Sequence, residues 1–209
     1  MLKFLSPLLL SLLISCGSPI EPCSVEINAD SLFSGYLVPK TGAMYLSDIR
    51  PDWILDDRAV GGHSLAALAY GNKYPIIGTP PFDVVTHPSS IILIELGGND
   101  AYIGYTAEQF EYNLRWAVST IRANGKIPVL TGIVPFEPGP VFTASVVAKD
   151  VSFNSIIHKV AKELNIVDAY IDTVDFNPKV DTIDQIHRTE PALIKIIDRI
   201  ALTIDPLCR

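Results

Sequence analysis

The sequence predicts an α/β fold, a three-layer α/β/α sandwich around a five-stranded parallel sheet. Three observations predict it. Short aliphatic runs alternate along the chain with longer stretches whose apolar residues recur at helical spacing. The clearest run, Ile91-Ile92-Leu93-Ile94, is continuously aliphatic and mostly β-branched, as a strand buried on both faces of a parallel sheet would be. There is no internal repeat, and 209 residues, 48% hydrophobic and 19% charged, suffice for one ordinary domain and not for two.

In chain order, the first strand is expected from about Ser24 to Asn28, where Val25 and Ile27 alternate with polar residues. Gly35, Pro39 and Gly42 break any long helix after it, so residues 31–47 read as a loop with at most a short helical turn. Trp53-Ile54-Leu55 and Ala59-Val60 suggest a second strand leading into Gly61-Gly62-His63-Ser64, and Ser64 can cap a short helix over Leu65 to Tyr70. Residues 71–88, rich in Gly and Pro, read as an irregular insertion.

The third strand is Ile91 to Leu96. Thr106-Ala107-Glu108-Gln109 fits a capping box, and the helix behind it presents Phe110, Leu114, Ala117, Val118 and Ile121 on one face until Asn124-Gly125 ends it. Ile127 to Val134 is the fourth strand, followed by a Glu137-Pro138-Gly139-Pro140 loop. A helix from about Val147 to Leu164 and a fifth strand from Ile166 to Ile171 follow. Thr189 can cap the last helix, which tolerates Pro191 in its first turn and turns Leu193, Ile196, Ile197, Ile200 and Ala201 inward.

The first residues read as a targeting segment. Lys3 precedes an apolar run from Phe4 to Ile14, about half of the ~20 residues that span a bilayer, so it is a signal h-region and not an anchor helix. Leu13-Ile14-Ser15-Cys16 resembles the lipobox of bacterial lipoproteins, in which the cysteine becomes the lipidated first residue. The competing reading is an ordinary secretory signal cut near Ser15 to Ser18. Residues 1–16 are thus taken as leader, 17–22 as a tether and 23–209 as the domain, exported and anchored to a membrane only through the lipid.

Cysteine count bears on the same question, since three is an odd number for an exported chain. If Cys16 carries lipid, Cys23 and Cys208 remain. In a βα fold the last helix runs antiparallel to the strands, so its end returns to the edge where the first strand begins, and the two cysteines can pair. Such a bridge would close nearly the whole domain and stabilise it by about 4 kcal/mol in the chain-entropy picture. The alternative is two free thiols. The net charge of -7, with no Lys/Arg cluster, excludes phosphate-backbone binding, so no nucleic-acid partner is expected.

Chemistry concentrates in three places. Ala29-Asp30-Ser31-Leu32 ends the first strand in a turn; Gly97-Gly98-Asn99-Asp100 follows the third; Asp184-Gln185-Ile186-His187 precedes the last helix. A serine hydroxyl becomes a useful nucleophile only when a base removes its proton, and a histidine oriented by a carboxylate is such a base. In open parallel sheets reactive groups gather at the carboxyl ends of the strands, and each of these segments follows a strand, as do Gly62 and the loop after Val134. Taken singly, each has a plainer use: Ser31 as a turn cap, Asn99-Asp100 as turn residues, Gly61-Gly62 for backbone freedom, His187 as a surface histidine.

Together and in this order the blocks resemble the SGNH hydrolases, also called the GDSL esterase/lipase family. The resemblance implies the flavodoxin-like version of the sandwich and a catalytic set of Ser31, Asp184 and His187. It implies an oxyanion hole of the Ser31 and Gly62 backbone N–H groups with the Asn99 side-chain amide, each donor being worth roughly 3 kcal/mol of barrier. Asp30 and Asp100 would organise turns and stay outside the catalytic set. Ala29 stands where the family has a glycine, and Asp57 and Ala59 stand where its second block carries Asn and Gly, so Gly62 is the loosest match. His63, Tyr102 and Phe136 are candidates to touch substrate. His87 and His158 have no ligand-like spacing, and neither a metal nor another cofactor is expected.

The implied function is a serine esterase that cleaves carboxylic esters, short acyl or acetyl groups on carbohydrates or small lipids, through an acyl-enzyme. Two alternatives use the same fold: transfer of the acyl group to a sugar acceptor, and a non-catalytic cell-surface binding module.

Overall fold

In the computed structural model, which describes residues 22–71, 82, 84 and 88–208, five parallel strands lie in the order β2-β1-β3-β4-β5. The chain runs β1 (Ser24–Ala29), α1 (Gly42–Ile49), β2 (Ile54–Asp57), α2 (Leu65–Tyr70), β3 (Ile91–Glu95), α3 (Gly98–Ile103), α4 (Ala107–Ala123), β4 (Ile127–Leu130), α5 (Ala144–Leu164), β5 (Val167–Asp168), α6 (Pro178–Asp181) and α7 (Glu190–Ile204). The leader, Cys16, most of the tether and His87 lie outside the described residues, as does most of the 71–88 insertion.

Alternation along β1 and β3 divides the core between the sheet's two faces. Val25, Ile27, Ile91 and Leu93 pack on one face with Leu46 of α1 and Leu193, Ile196, Ile197 and Ile200 of α7. Ile92 and Ile94 point the other way, into Leu65 and Leu68 of α2, Phe110, Leu114 and Ile121 of α4, and Phe153 and Ile157 of α5. Every residue of β3 is buried, which is why its sequence is uniformly aliphatic up to Glu95. The Cys23 and Cys208 sulfurs are bonded, joining the start of β1 to the end of the chain.

Five local expectations change. Residues 42–49 form a full helix: Thr41 accepts from the Met44 N–H at 3.2 Å, and Gly42 is present because a Cβ there would come within 2.5 Å of the Phe33 ring, so this glycine marks close packing and not a break. Gly98–Ile103 is also helical. The second strand ends at Asp57, although Arg58 and Val60 still donate to the Ile27 and Ala29 carbonyls. The fourth strand stops at Leu130 and the fifth keeps only Val167 and Asp168, because both lie toward the short edge of the sheet and soon leave the ladder.

The caps follow the sequence with one exception. Thr106 and Gln109 form the reciprocal capping box, and Ser64 Oγ accepts from the Ala67 N–H at 3.0 Å. Thr189 holds the N-cap position of α7 in extended backbone, but its hydroxyl makes no capping hydrogen bond.

Candidate active site

Strand order reverses between β1 and β3: the chain leaves β1 for β2 on one side and continues through β3, β4 and β5 on the other. Ligands of open α/β sheets bind outside the carboxyl ends of the strands at such a switch. Ser31 leaves the end of β1 and Asn99 the end of β3.

Asp30 makes the turn that presents Ser31. Its Oδ1 accepts from the Leu32 N–H at 2.8 Å, and its carbonyl accepts from the N–H groups of Phe33 and Ser34. The strand therefore stops in a hydrogen-bonded turn with the serine at its corner. Asp30 Oδ2 accepts from Asn99 Nδ2 at 2.9 Å. Burial, reinforced by the charge of Glu95, pushes the Asp30 carboxyl up to about 7, against the opposing pull of the Leu32 N–H and Arg188.

Asp184 and His187 sit on the loop between α6 and α7. Asp184 Oδ1 accepts from the N–H groups of Ile186 at 3.1 Å and His187 at 2.7 Å, so its carboxylate folds the loop as well as facing the ring. Asp184 Oδ2 lies 2.7 Å from His187 Nδ1, and His187 Nε2 lies 3.0 Å from Ser31 Oγ. Partial burial would raise the Asp184 carboxyl, but the hydrogen bonds from His187 and Ile186 outweigh it and hold the group below the usual carboxylate range. With its proton on Nδ1, facing Asp184, the neutral imidazole has Nε2 free to accept from the serine hydroxyl.

The three donor groups singled out in the sequence differ in what they already hold. Among the described residues neither the Ser31 nor the Gly62 backbone N–H has a hydrogen-bond partner. Gly62 lies at φ 77°, where a side chain would strain the turn, and neighbouring Gly61 would bring a Cβ within 3.8 Å of Ser31 Cβ. Asn99 is different: its Nδ2 donates to both Asp30 Oδ2 and the His63 carbonyl, each at 2.9 Å. Both amide hydrogens are thus occupied.

Asp100 ties this block to the one before it. Its two oxygens accept from the Leu65 and Ala66 N–H groups at 2.8 and 3.0 Å, so the residue after Asn99 caps the helix that follows Gly62-His63-Ser64. Burial pushes its carboxyl up to about 6 in spite of those bonds.

A cavity of about 190 Å³ opens over Ser31 and His187, lined by Leu32, Asn99, Tyr102, Phe136, Phe142 and Ile186 among others. Tyr102 and Phe136 line this cavity; His63 is buried and not among its lining residues, and burial pushes its ring toward the neutral form. Its carbonyl, not its ring, serves the site, by holding Asn99. The sequence reading also missed Phe142, whose ring stands 4.5 Å from that of Phe136, and Tyr36, whose ring lies 4.3 Å from the His187 ring. Both come from irregular segments without periodicity, although Tyr36, five residues beyond Ser31, stood within the nucleophile turn.

Residues 15–191 match the GDSL-like Lipase/Acylhydrolase family. The chain belongs to that family. Within it, the chain is 29% identical over 184 residues to "Thioesterase 1/protease 1/lysophospholipase L1" of Escherichia coli K12, covering 87% of this chain and 83% of that protein. The fold matches the crystal structure of TesA with a TM-score of 0.66 at 20% identity, over 88% of this chain and 99% of the other. It also matches Axe2, an acetyl xylan esterase from Geobacillus stearothermophilus, with a TM-score of 0.67 at 13% identity, over 87% and 94% of the two chains. The GDSL-family assignment makes the chain an SGNH-type serine hydrolase of esters, on a parallel α/β sandwich.

Proposed function

We propose that this hydrolase cleaves short-chain carboxylic esters, acetyl or similarly small acyl groups on carbohydrates or small lipids, through an acyl-enzyme on Ser31. The observation that carries the proposal is the unbroken contact from Asp184 through His187 to Ser31 Oγ. In the first half-reaction His187 takes the hydroxyl proton as Ser31 attacks the ester carbonyl, then returns it to the leaving alcohol. Water, deprotonated by the same nitrogen, releases the acid. Asp184 keeps the tautomer and stabilises the imidazolium. The developing oxyanion draws on the Ser31 and Gly62 N–H groups and on Asn99.

Size supports the short acyl group. A cavity of about 190 Å³ is below the ~300 Å³ at which drug-sized ligand pockets begin, and Leu32, Phe136, Phe142 and Ile186 line it beside the polar Asp30 and Asn99. Similarity to a thioesterase makes acyl thioesters the second substrate class to assay. A fluorophosphonate should label Ser31, and Ser31→Ala should lose both the label and p-nitrophenyl acetate hydrolysis. Retained hydrolysis in that variant would remove the proposal. Across a chain-length series, kcat/KM should peak at acetyl to butyryl and fall beyond.

The leader supports export as a lipoprotein, with Cys16 lipidated. Cys16→Ser should then move the protein from the membrane to the soluble fraction; unchanged fractionation refutes the anchor.

A further inference from the structure

The loop that carries the acid and base is folded mainly by its own bonds. Ile183 N–H donates to the His187 carbonyl at 2.7 Å, Thr189 N–H to the Asp181 carbonyl at 2.8 Å, Thr182 and Arg188 form an antiparallel bridge, and Asp184 caps two N–H groups from inside. These bonds give the loop its shape without fixing its distance from the sheet. Ile186 packs against the core and Tyr36 against the His187 ring, which are soft contacts.

Arg188 is different. It follows His187 directly and is only 2% exposed. Its Nη2 donates to Oε1 of Glu95, the last residue of β3, and its Nη1 lies 3.4 Å from the carbonyl oxygen of Leu32, the residue after Ser31. One guanidinium therefore joins the acid/base loop, the nucleophile turn and the strand that leads to Asn99. A planar fork can face two acceptors at once; a lysine ammonium on a flexible stem has no such geometry.

A buried ion pair is poor evidence of stabilisation, because the cost of dehydrating both charges rivals their attraction, and apolar replacements of such pairs are often neutral or better. The pair's value lies in geometry. We infer that Arg188, anchored by Glu95, is a positioning residue that fixes the separation between the Ser31 hydroxyl and the His187 imidazole. This rests on Ser31 and His187 being the reacting pair. A misplacement of about 1 Å between reacting groups costs about 10²-fold in rate.

The test measures the rate of Ser31 labelling by a fluorophosphonate, kcat and KM for p-nitrophenyl acetate, and Tm, in Arg188→Lys, Arg188→Met and the double variant Glu95→Leu/Arg188→Met. Arg188→Lys keeps a cation for Glu95 but loses the fork, so kcat and labelling should fall about 10-fold with KM within about twofold. Arg188→Met strands the Glu95 charge and should lower Tm as well as kcat. The double variant removes the buried charge and should regain Tm while kcat stays about 10²-fold down. Wild-type kcat in a double variant of restored Tm overturns the inference, and so does wild-type kcat in Arg188→Lys, which decides the matter if the double variant does not fold. An unlabelled wild-type Ser31 would overturn the underlying reading of the site. Normal labelling in wild type and variants alike would overturn the positioning role alone.

Discussion

Two histidines in this molecule are held in nearly the same way and differ at one atom. His187 has Asp184 at 2.7 Å on Nδ1, the Ser31 hydroxyl at 3.0 Å on Nε2, and the Tyr36 ring against it. His158 has Asp168 at 2.7 Å on Nδ1, Asp172 at 2.9 Å on Nε2, and the Tyr170 ring 4.7 Å away. A hydroxyl on the second nitrogen leaves that nitrogen able to take a proton. A carboxylate there favours a ring whose two nitrogens both donate, so His158 is biased toward imidazolium, a form with no lone pair to offer. The same residue types suit a base in one place and a clamp between two carboxylates in the other. The clamp joins α5 to the end of β5 and to the segment after it. A His–Asp pair therefore says little until its third partner is known.

The sharpest way to break the comparison is to remove each ring. His187→Ala should cost about 10⁴-fold or more in kcat/KM for p-nitrophenyl acetate while Tm changes little. His158→Ala should keep kcat/KM within about threefold and lower Tm instead, since it leaves two carboxylates facing each other without a cation. If both lose activity to the same extent, the clamp is also part of the site and the distinction fails. Next in size, Asp184→Asn should reduce kcat by up to about 10⁴-fold, the effect expected when the orienting carboxylate is lost and the wrong tautomer is held. Its counterpart Asp168→Asn should leave kcat unchanged. Comparable kcat losses in the two would show that distance to a carboxylate, not the hydroxyl partner, sets the role.

The two clusters also differ in how well they could be read from sequence. Asp184 and His187 are three residues apart, close enough for a turn to bring them together, and the nucleophile turn and the Gly-Asn-Asp block each end a recognisable strand. His158, Asp168 and Asp172 meet only because α5 packs across β5, which no local pattern records. For the same reason the Arg188–Glu95 pair went unseen: its members are 93 positions apart and belong to different layers. The five strands and the long helices were legible because buried faces impose a period of two or 3.6 on the residues that fill them. Helices 42–49 and 98–103 were not, since each starts at or just after a glycine whose use is close approach, Gly42 in the first case and Gly97 in the second. Gly97, at φ 143° and with Ile133 Cδ1 2.6 Å from where a Cβ would stand, reads in sequence as a plain turn residue.

The smallest expected effect separates the two rings by charge. Partial burial pulls His158 down, but the hydrogen bonds to Asp168 and Asp172 outweigh it and raise the ring above the ordinary histidine value of 6.5. A group raised on folding adds stability that is complete below its unfolded value and disappears as pH climbs through the folded one. The Tm difference between wild type and His158→Gln, which keeps a polar side chain without the charge, should therefore be largest near pH 5.5, about 2–4 °C, and shrink toward pH 9. Asp184 has the opposite sign, since its lowered carboxyl loses its contribution as pH falls, but it is present in both proteins and cancels in the difference. A Tm gap that stays constant from pH 5.5 to 9 would mean that stacking on Tyr170, and not the cation between two carboxylates, is what His158 contributes.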